Sequence, residues 1–289
     1  MKRRPPSDAT AKAETWLRDN GFDKLPVDLD AIAAFLDIEV KPLRQEKPGV
    51  SGMLLRNGDA FGIMFGTYLR SLGFQRFSIA HEIGHYLLEG HPEHLFPPGI
   101  TSHSSQAGFV SADPFEMEAD FFASGLLMPD GPFKAALRRS EEGLAGIETM
   151  AEKCVTSLTA TAIAYARKTS VPAAIVVSTA GRIDYAFLSG SMQDFENLSW
   201  PRKGDALPEA TISEALGASS ADVASGKRGC EEVDLRRWLG GRRALKATEE
   251  ALGLGSYGRV LTILTTDILP DEEDEEAGLE DSWTPRLRR

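Results

Sequence analysis

The sequence predicts a fold of α+β class, in which helical and extended segments form separate groups. An apolar run with helical spacing, from Phe77 to Leu88, surrounds the pentapeptide His81-Glu82-Ile83-Gly84-His85. Short β-type runs joined by Gly-containing turns occur both before and after this helix. The 289 residues, of which 42% are apolar, are enough for one large domain or two to three small ones.

The elements predicted before this helix are two short helices, one strand and a hairpin, at 11–20, 27–36, 38–40, and 51–55 with 61–65. The hairpin is indicated by the turn Arg56-Asn57-Gly58-Asp59 between two apolar runs. We expect a small sheet next to the long helix. Gly62 to Phe65 is the candidate for its edge strand, where an extended peptide could be held by backbone hydrogen bonds. An ordinary buried hairpin is an equal alternative.

The pentapeptide has the spacing of a metal site. Residues four apart lie on one helical face, so His81 and His85 can bind one ion while Glu82 faces the same space. A catalytic zinc site has three protein ligands and an open position for water, whose pKa falls to about 7. Glu82 is placed to accept the proton of that water as it attacks a carbonyl carbon. The pattern is typical of a zinc hydrolase, although bare HExxH also arises by chance.

A third ligand is expected nearby, because all five histidines lie in one window: His81, His85, His91, His94 and His103. His91 has the offset used by the HExxHxxGxxH proteases. That pattern requires glycine three residues after the second histidine, to end the helix, and this chain has Leu88 there. We therefore prefer a ligand from further along the chain.

The preferred ligand lies in a second predicted helix. Asp113 can cap it, Pro114 suits its first position, and Pro129 marks its end. Glu116 and Asp120 are four residues apart and share one stripe of this helix. In this arrangement Glu116 supplies the third metal ligand, and Asp120 accepts a hydrogen bond from the far nitrogen of His81 or His85. Glu118 is expected to point elsewhere, to solvent.

The segment Arg76-Phe77-Ser78-Ile79-Ala80 before the pentapeptide, with Glu116-x-x-Ala119-Asp120-x-Phe122-Ala123 and Leu126-Leu127-Met128-Pro129, resembles the ImmA/IrrE family of metallopeptidases. Members usually have RFTLAHELGH followed by ExxANxFAxxLLMP. This chain therefore departs from the family at Ser78 and Asp120, and neither change removes a ligand. The resemblance implies a cytosolic endopeptidase that cleaves a helix-turn-helix repressor and so switches on a stress, DNA-damage or mobile-element response.

Zinc is the ion expected from two histidines and a glutamate, although Mn²⁺ or another divalent ion can occupy the same ligands. The competing hypothesis is a non-catalytic regulatory protein that binds DNA or a protein partner and holds a structural metal. A structural zinc has four protein ligands and no water. The first hypothesis assigns residues 1–131 to a zinc metallopeptidase domain.

The segment from Pro92 to Asp113 is rich in Ser, Gly and Pro and predicts a loop near the cleft. Four side chains in or near it are candidates for contacting the oxyanion of the transition state or the substrate. These are Tyr86, His91, His94 and His103. Each of them singly is more often structural or exposed.

Residues 132–170 are predicted to be helical, and 147–154 with 158–168 resembles a helix-turn-helix. The second helix offers mostly Thr and Ala on its surface, which suits packing or substrate docking better than reading DNA.

Residues 171–269 predict a small α+β domain with hairpins at 173–177 with 183–188 and at 245–254 with 259–265. It loosely resembles the GAF-like C-terminal part of longer IrrE-type members. That resemblance implies a regulatory ligand, nucleic acid or protein partner here, and a structural or dimerising module is an equal alternative. Arg236 to Lys246, with Trp238, is the most basic stretch of the chain, and a solvated face is preferred there to a contact with an acidic partner or a single strand.

Charge and cysteine content narrow the class of protein. The net charge of −11 argues against general nucleic-acid binding, and 270–289 predicts an acidic, disordered tail. Cys154 and Cys230 form no CxxC pattern, which argues against a disulfide framework. We found no run of about 18 apolar residues, so we expect a cytoplasmic protein without a membrane span. The oligomeric state stays open.

Overall fold

The computed structural model describes residues 6–43, 49–68, 71–108, 111–241 and 244–269. The chain divides into an N-terminal unit, 1–139 with 149–158, and a C-terminal unit, 140–148 with 159–289. Each unit combines helices with a small sheet, which confirms the predicted α+β class. The predicted acidic tail, 270–289, lies outside the described residues.

The helices that lie wholly in the N-terminal unit are α1 (Pro6–Asn20), α2 (Leu29–Phe35), α3 (Leu72–Leu87), α4 (His91–Leu95), α5 (Pro114–Leu127) and α6 (Asp130–Leu137). Two of them carry the predicted site, and each has a side-chain cap. The Ser71 hydroxyl accepts a hydrogen bond from the Phe74 amide at the start of α3, at 3.3 Å. The Asp113 carboxylate accepts one from the Phe115 amide at the start of α5, at 2.8 Å. The cap and the first-turn proline of α5 are as predicted.

Helices α3 and α5 pack closely because one contact position is glycine. A Cβ added at Gly84 would lie 3.1 Å from the ring of Phe122, tighter than ordinary packing. Every residue of α3 from 78 to 85 is buried, including the polar ones. The pentapeptide therefore lies in the interior of the unit, between α5 and the sheet.

The sheet of the N-terminal unit contains β1 (Ile38–Pro42), β2 (Gly52–Asn57), β3 (Ala60–Phe65) and β4 (Ser102–Ser105), in the order β1-β3-β2-β4. The predicted hairpin is the antiparallel pair β2–β3. The prediction that Gly62 to Phe65 forms an edge was wrong, because β1 pairs in parallel with β3 and covers that side. Strand β4, from the segment predicted as a loop, is the edge next to β2.

The C-terminal unit contains β5 (Ala173–Thr179), β6 (Arg182–Leu188), β7 (Arg228–Asp234), β8 (Lys246–Gly253) and β9 (Arg259–Thr265), in the order β6-β5-β9-β8-β7. All pairs are antiparallel, and β5–β6 and β8–β9 are the predicted hairpins. Strand β7 was not predicted. It lies at the edge of the sheet and exposes most of its residues, so its sequence lacks the apolar alternation of a half-buried strand.

The remaining helices are α7 (Gly143–Cys154), α8 (Leu158–Lys168), α9 (Gly190–Gln193), α10 (Ile212–Gly217), α11 (Ser220–Ala224) and α12 (Arg236–Leu239). The predicted pair of helices is α7 and α8, but residues 132–170 do not form a unit of their own. Thr161, Ala162 and Tyr165 of α8 are buried, so its apolar face belongs to a core. Packing is one of the two roles that the sequence favours for α8, and substrate docking is the other.

The basic stretch from Arg236 to Lys246 includes α12. Trp238 is buried, and its indole N–H donates a hydrogen bond to the buried carboxylate of Glu249, at 3.0 Å. Its ring is therefore part of the core and does not offer an exposed stacking platform. Arg236 pairs with Asp234, and Arg242 and Arg243 lie outside the described residues. No helix in the described ranges is both long and apolar enough to cross a bilayer.

Candidate metal centre

The structure brings together the three predicted metal ligands. His81 and His85 lie one turn apart on α3, and Glu116 lies in the first turn of α5. One ligand atom from each residue lies within 4.8 Å of those of the other two, and all three residues are buried. Two separate helices therefore supply the group, and the close packing of α3 on α5 fixes its geometry.

The distances within the group fit a small cation. The two Nε2 atoms of His81 and His85 are 3.0 Å apart. Glu116 Oε2 is 3.4 Å from His81 Nε2, and Glu116 Oε1 is 3.2 Å from His85 Nε2. Tetrahedral ligands at zinc distances of about 2.0–2.1 Å are separated by about 3.3 Å. Glu116 Oε2 is also buried without a hydrogen-bond partner among the described residues, so it has a lone pair left for an ion.

The charges in the group also favour a cation. Burial raises the pKa of Glu116, but the neighbouring imidazoles of His103, His81 and His85 outweigh burial and hold it far below its usual range. Burial lowers the pKa of His81, but the hydrogen bond to Asp120 and the nearby carboxylate of Glu116 outweigh burial and raise it to about 10. Burial lowers the pKa of His85 to about 4, so this imidazole is neutral at pH 7. Glu116 is therefore ionised at neutral pH, and the raised pKa of His81 shows that its surroundings stabilise a positive charge.

Glu82 is completely buried beside this group. Neither of its carboxylate oxygens has a hydrogen bond of ordinary geometry in the described part of the chain. Burial raises its pKa to about 7, against the opposing charge of His81 and the hydroxyl of Ser105. A carboxylate with a pKa near neutrality can both accept and return a proton.

Gly52 of β2 provides the space for the Glu82 carboxylate. A Cβ added at Gly52 would overlap with Glu82 Oε1, and it would lie 3.1 Å from Glu82 Cδ. Ser105 of β4 lies opposite Gly52 in the sheet register and is buried too. Sequence reasoning missed Gly52 and Ser105. The glycine directly before an apolar strand was the available signal, but nothing in the sequence connects it with Glu82.

The far nitrogens of the two histidines have different partners. His81 Nδ1 lies 2.8 Å from Asp120 Oδ1. The sequence left open whether Asp120 contacts His81 or His85, and in the structure it contacts His81. Asp120 Oδ1 also accepts a hydrogen bond from the Gly108 amide, at 3.0 Å. His85 Nδ1 lies 2.9 Å from His91 Nδ1. His91 therefore lies behind His85, not among the three converging ligands.

The expectation that Glu118 points away to solvent was wrong. Its side chain is 24% exposed, and its Oε2 lies 3.4 Å from His91 Nε2. Sequence reasoning placed Glu118 off the stripe of Glu116 and Asp120, which is correct for the helix. It could not place His91, because α4 turns back toward α5 after the left-handed residue Gly90.

The other candidates for oxyanion or substrate contacts differ in position. His103 of β4 lies at the group, with its Nε2 2.8 Å from Glu116 Oε1 and its side chain 23% exposed. The ring of Tyr86 packs against Phe61 with centroids 5.0 Å apart. The exposed ring of His94 stacks on Phe115 at 3.9 Å. Of these candidates, His103 therefore lies where a contact with the oxyanion or the substrate is expected.

The contact between Asp120 and His81 gives a testable prediction. Asp120→Ala should weaken metal binding about 10- to 100-fold, because the ring of His81 loses the acceptor that fixes it. Asp120→Asn should bind metal nearly as the wild type does, because the amide oxygen still accepts that hydrogen bond. Competition with a chromogenic chelator measures both affinities. Equal losses in the two variants would contradict the role of the acceptor.

Comparisons with known proteins agree with this geometry. Residues 36–160 match the model of the IrrE N-terminal-like domain, an M78 peptidase family. This range contains His81, Glu82, His85 and Glu116. No curated protein matches the chain.

Among solved structures, the chain is similar to one described as a Mycobacterium tuberculosis transcriptional regulator. The TM-score is 0.56 and the sequence identity 13%, over 90% of this chain and 76% of that one. This likeness shows the fold alone. The buried His-His-Glu group and the family match together confirm the resemblance stated from the sequence: residues 36–160 match the IrrE N-terminal-like domain of the M78 peptidase family and contain a group that could bind a metal ion.

Proposed function

We propose that this chain is a zinc-dependent endopeptidase of the HExxH class with Glu116 as the distal ligand. The observation that carries the proposal is the position of Glu82, a buried carboxylate with a raised pKa beside three converging ligand atoms. A purely structural site has no need for such a base. Within the described residues only three side chains converge, which also favours an open position over the four protein ligands of a structural zinc.

His81, His85 and Glu116 would hold the ion. A zinc ion bound there would polarise the scissile carbonyl and lower the pKa of a water molecule. Glu82 accepts the proton of the attacking water and then donates it to the leaving amine, whose C–N bond breaks. Asp120 keeps the His81 ring in the orientation that directs Nε2 at the ion. His103, partly exposed beside Glu116, is our candidate for contacting the developing oxyanion.

The free edge of β4 supports a peptide as the substrate. The backbone carbonyls of Thr101 and Ser105 accept hydrogen bonds from the backbone amides of Arg56 and Ser51, on the β2 side of the strand. The backbone groups of Ser102 and Ser104 therefore face the opposite edge, where no strand pairs within the described residues. An extended peptide added there would lie beside His103.

We propose a helix-turn-helix repressor as the substrate, cleaved in the cytoplasm to switch on a stress, DNA-damage or mobile-element response. The family resemblance supports this assignment. The fold shared with a protein described as a transcriptional regulator is in line with it. From the loose resemblance to GAF-like domains, we further propose that the C-terminal unit binds a regulatory ligand, nucleic acid or protein partner.

The proposal is tested by incubating the zinc-loaded protein with helix-turn-helix repressors encoded next to its gene. We expect one repressor to be cut into two fragments, which mass spectrometry identifies. A chelator should stop the reaction, and added zinc should restore it. Intact repressors, or cleavage that the chelator leaves unchanged, would exclude the proposed function.

A further inference from the structure

A chain of side-chain contacts continues behind His85, on the side away from the metal group. His85 Nδ1 contacts His91 Nδ1 at 2.9 Å, and His91 Nε2 contacts Glu118 Oε2 at 3.4 Å. His85 and His91 are both completely buried. The chain therefore runs from a metal ligand on α3, through α4, to a carboxylate on α5.

The ligand role of His85 determines where each proton in this chain lies. Because Nε2 of His85 faces the metal group, its proton must be on Nδ1, which donates to His91. Nδ1 of His91 then accepts and has no proton. The remaining proton of a neutral His91 lies on Nε2, where Glu118 can accept it. Each ring nitrogen of His85 and His91 thus has one role, and the carboxylate of Glu118 is the last hydrogen-bond acceptor.

The surroundings hold His91 in this position. Gly90 takes a left-handed conformation, with φ of 84°, and starts the short helix α4. The ring of Phe115 packs edge-on against the His91 ring, with centroids 4.9 Å apart. Phe115 and Glu118 both belong to α5, which also provides Glu116. Helix α5 thus supplies the third metal ligand, Glu116, and also the side chains that hold His91 against the second ligand, His85.

We propose that His91 is a positioning residue for the metal centre, and that Glu118 fixes the tautomer and orientation of His91. This inference rests on the proposed metal-dependent function. It assigns the same support to both ligand histidines by different means: Asp120 accepts directly from His81, whereas Glu118 acts on His85 through His91. Removing the acceptor leaves a buried N–H of His85 without a partner and frees its ring to rotate.

The test compares the zinc affinity of purified full-length variants by chelator competition. His91→Ala should weaken zinc binding about 10- to 100-fold. Glu118→Ala should weaken it less, because His91 remains in place. Glu118→Gln should bind nearly as the wild type does, since its amide oxygen still accepts from His91. The matched control is Glu93→Ala, which removes an exposed side chain from the same helix and should leave zinc affinity unchanged.

Two further measurements separate positioning from other roles. The melting temperature of the metal-free variants reports folding, and if His91→Ala fails to fold, the Glu118 pair decides the question. The absorption spectrum with Co²⁺ reports the ligands, and His91→Ala should keep the wild-type band positions because His91 does not touch the ion.

Several results would overturn the inference. Wild-type affinity in His91→Ala would do so, as would equal losses in Glu118→Gln and Glu118→Ala. A loss in Glu93→Ala as large as that in His91→Ala would assign the effect to the stability of α4. A changed Co²⁺ spectrum would make His91 a ligand. Failure of the proposed function looks different: the affinity ranking would hold, but the wild-type protein would cleave no repressor.

Discussion

Glu82→Gln should lose peptide hydrolysis and keep its zinc. Glutamine has nearly the same shape as glutamate but cannot accept a proton from water. The expected fall in turnover is at least about 10²- to 10⁴-fold, the usual contribution of a general base. The fold should tolerate the change, because the buried carboxylate of Glu82 has no hydrogen bond of ordinary geometry to lose within the described residues. Turnover of the cleaved repressor and the zinc content of the purified variant are the two measurements.

His85→Ala is the companion variant, because it should lose both zinc and activity. The two variants together separate the metal site from the base. Retained turnover in Glu82→Gln would assign proton transfer to another group and remove the main support for the proposed mechanism. Loss of zinc in the same variant would instead make Glu82 part of the metal site.

Gly52→Ala should produce a second large loss of activity without loss of zinc. The added methyl group would overlap with Glu82 Oε1, and the buried carboxylate has to move to avoid it. A displacement of about 1 Å in a reacting group can cost about 10²-fold in rate. The backbone of Gly52 is an ordinary strand, so the effect should come from the added volume and not from backbone strain.

Gly131→Ala makes the same chemical change in α6 at a position where a Cβ meets nothing within 4 Å. Its turnover should equal that of the wild type. Wild-type turnover in Gly52→Ala would show that the Glu82 carboxylate can shift freely. Loss of zinc in Gly52→Ala would show that the added methyl group disturbs α3 as a whole.

Local sequence patterns predicted much of the site. The spacing of His81 and His85, the cap at Asp113 and the shared stripe of Glu116 and Asp120 are all properties of single helices. The structure brings these residues together because α3 and α5 pack on each other through Gly84. Local turn signals also predicted the hairpins of both sheets.

What the sequence did not predict depends on contacts between distant segments. Strand β1 covers β3 through a parallel pairing, which no turn signal announces. The contact of Glu118 with His91 requires α4 to fold back onto α5. Strand β4 is short and polar, so its composition resembles a loop although it pairs with β2. Each of these contacts became visible only once the tertiary arrangement was known.

Helix α5 carries Glu116, Glu118 and Asp120 within five consecutive residues, and all three contact imidazoles from outside α5. A bound ion would therefore link α3 to α5, two helices that are far apart in sequence. Metal loading and docking of 114–127 would be a single cooperative event, since a slide of that helix breaks all three contacts together. Amide hydrogen exchange across 114–127 would then slow sharply when the ion binds.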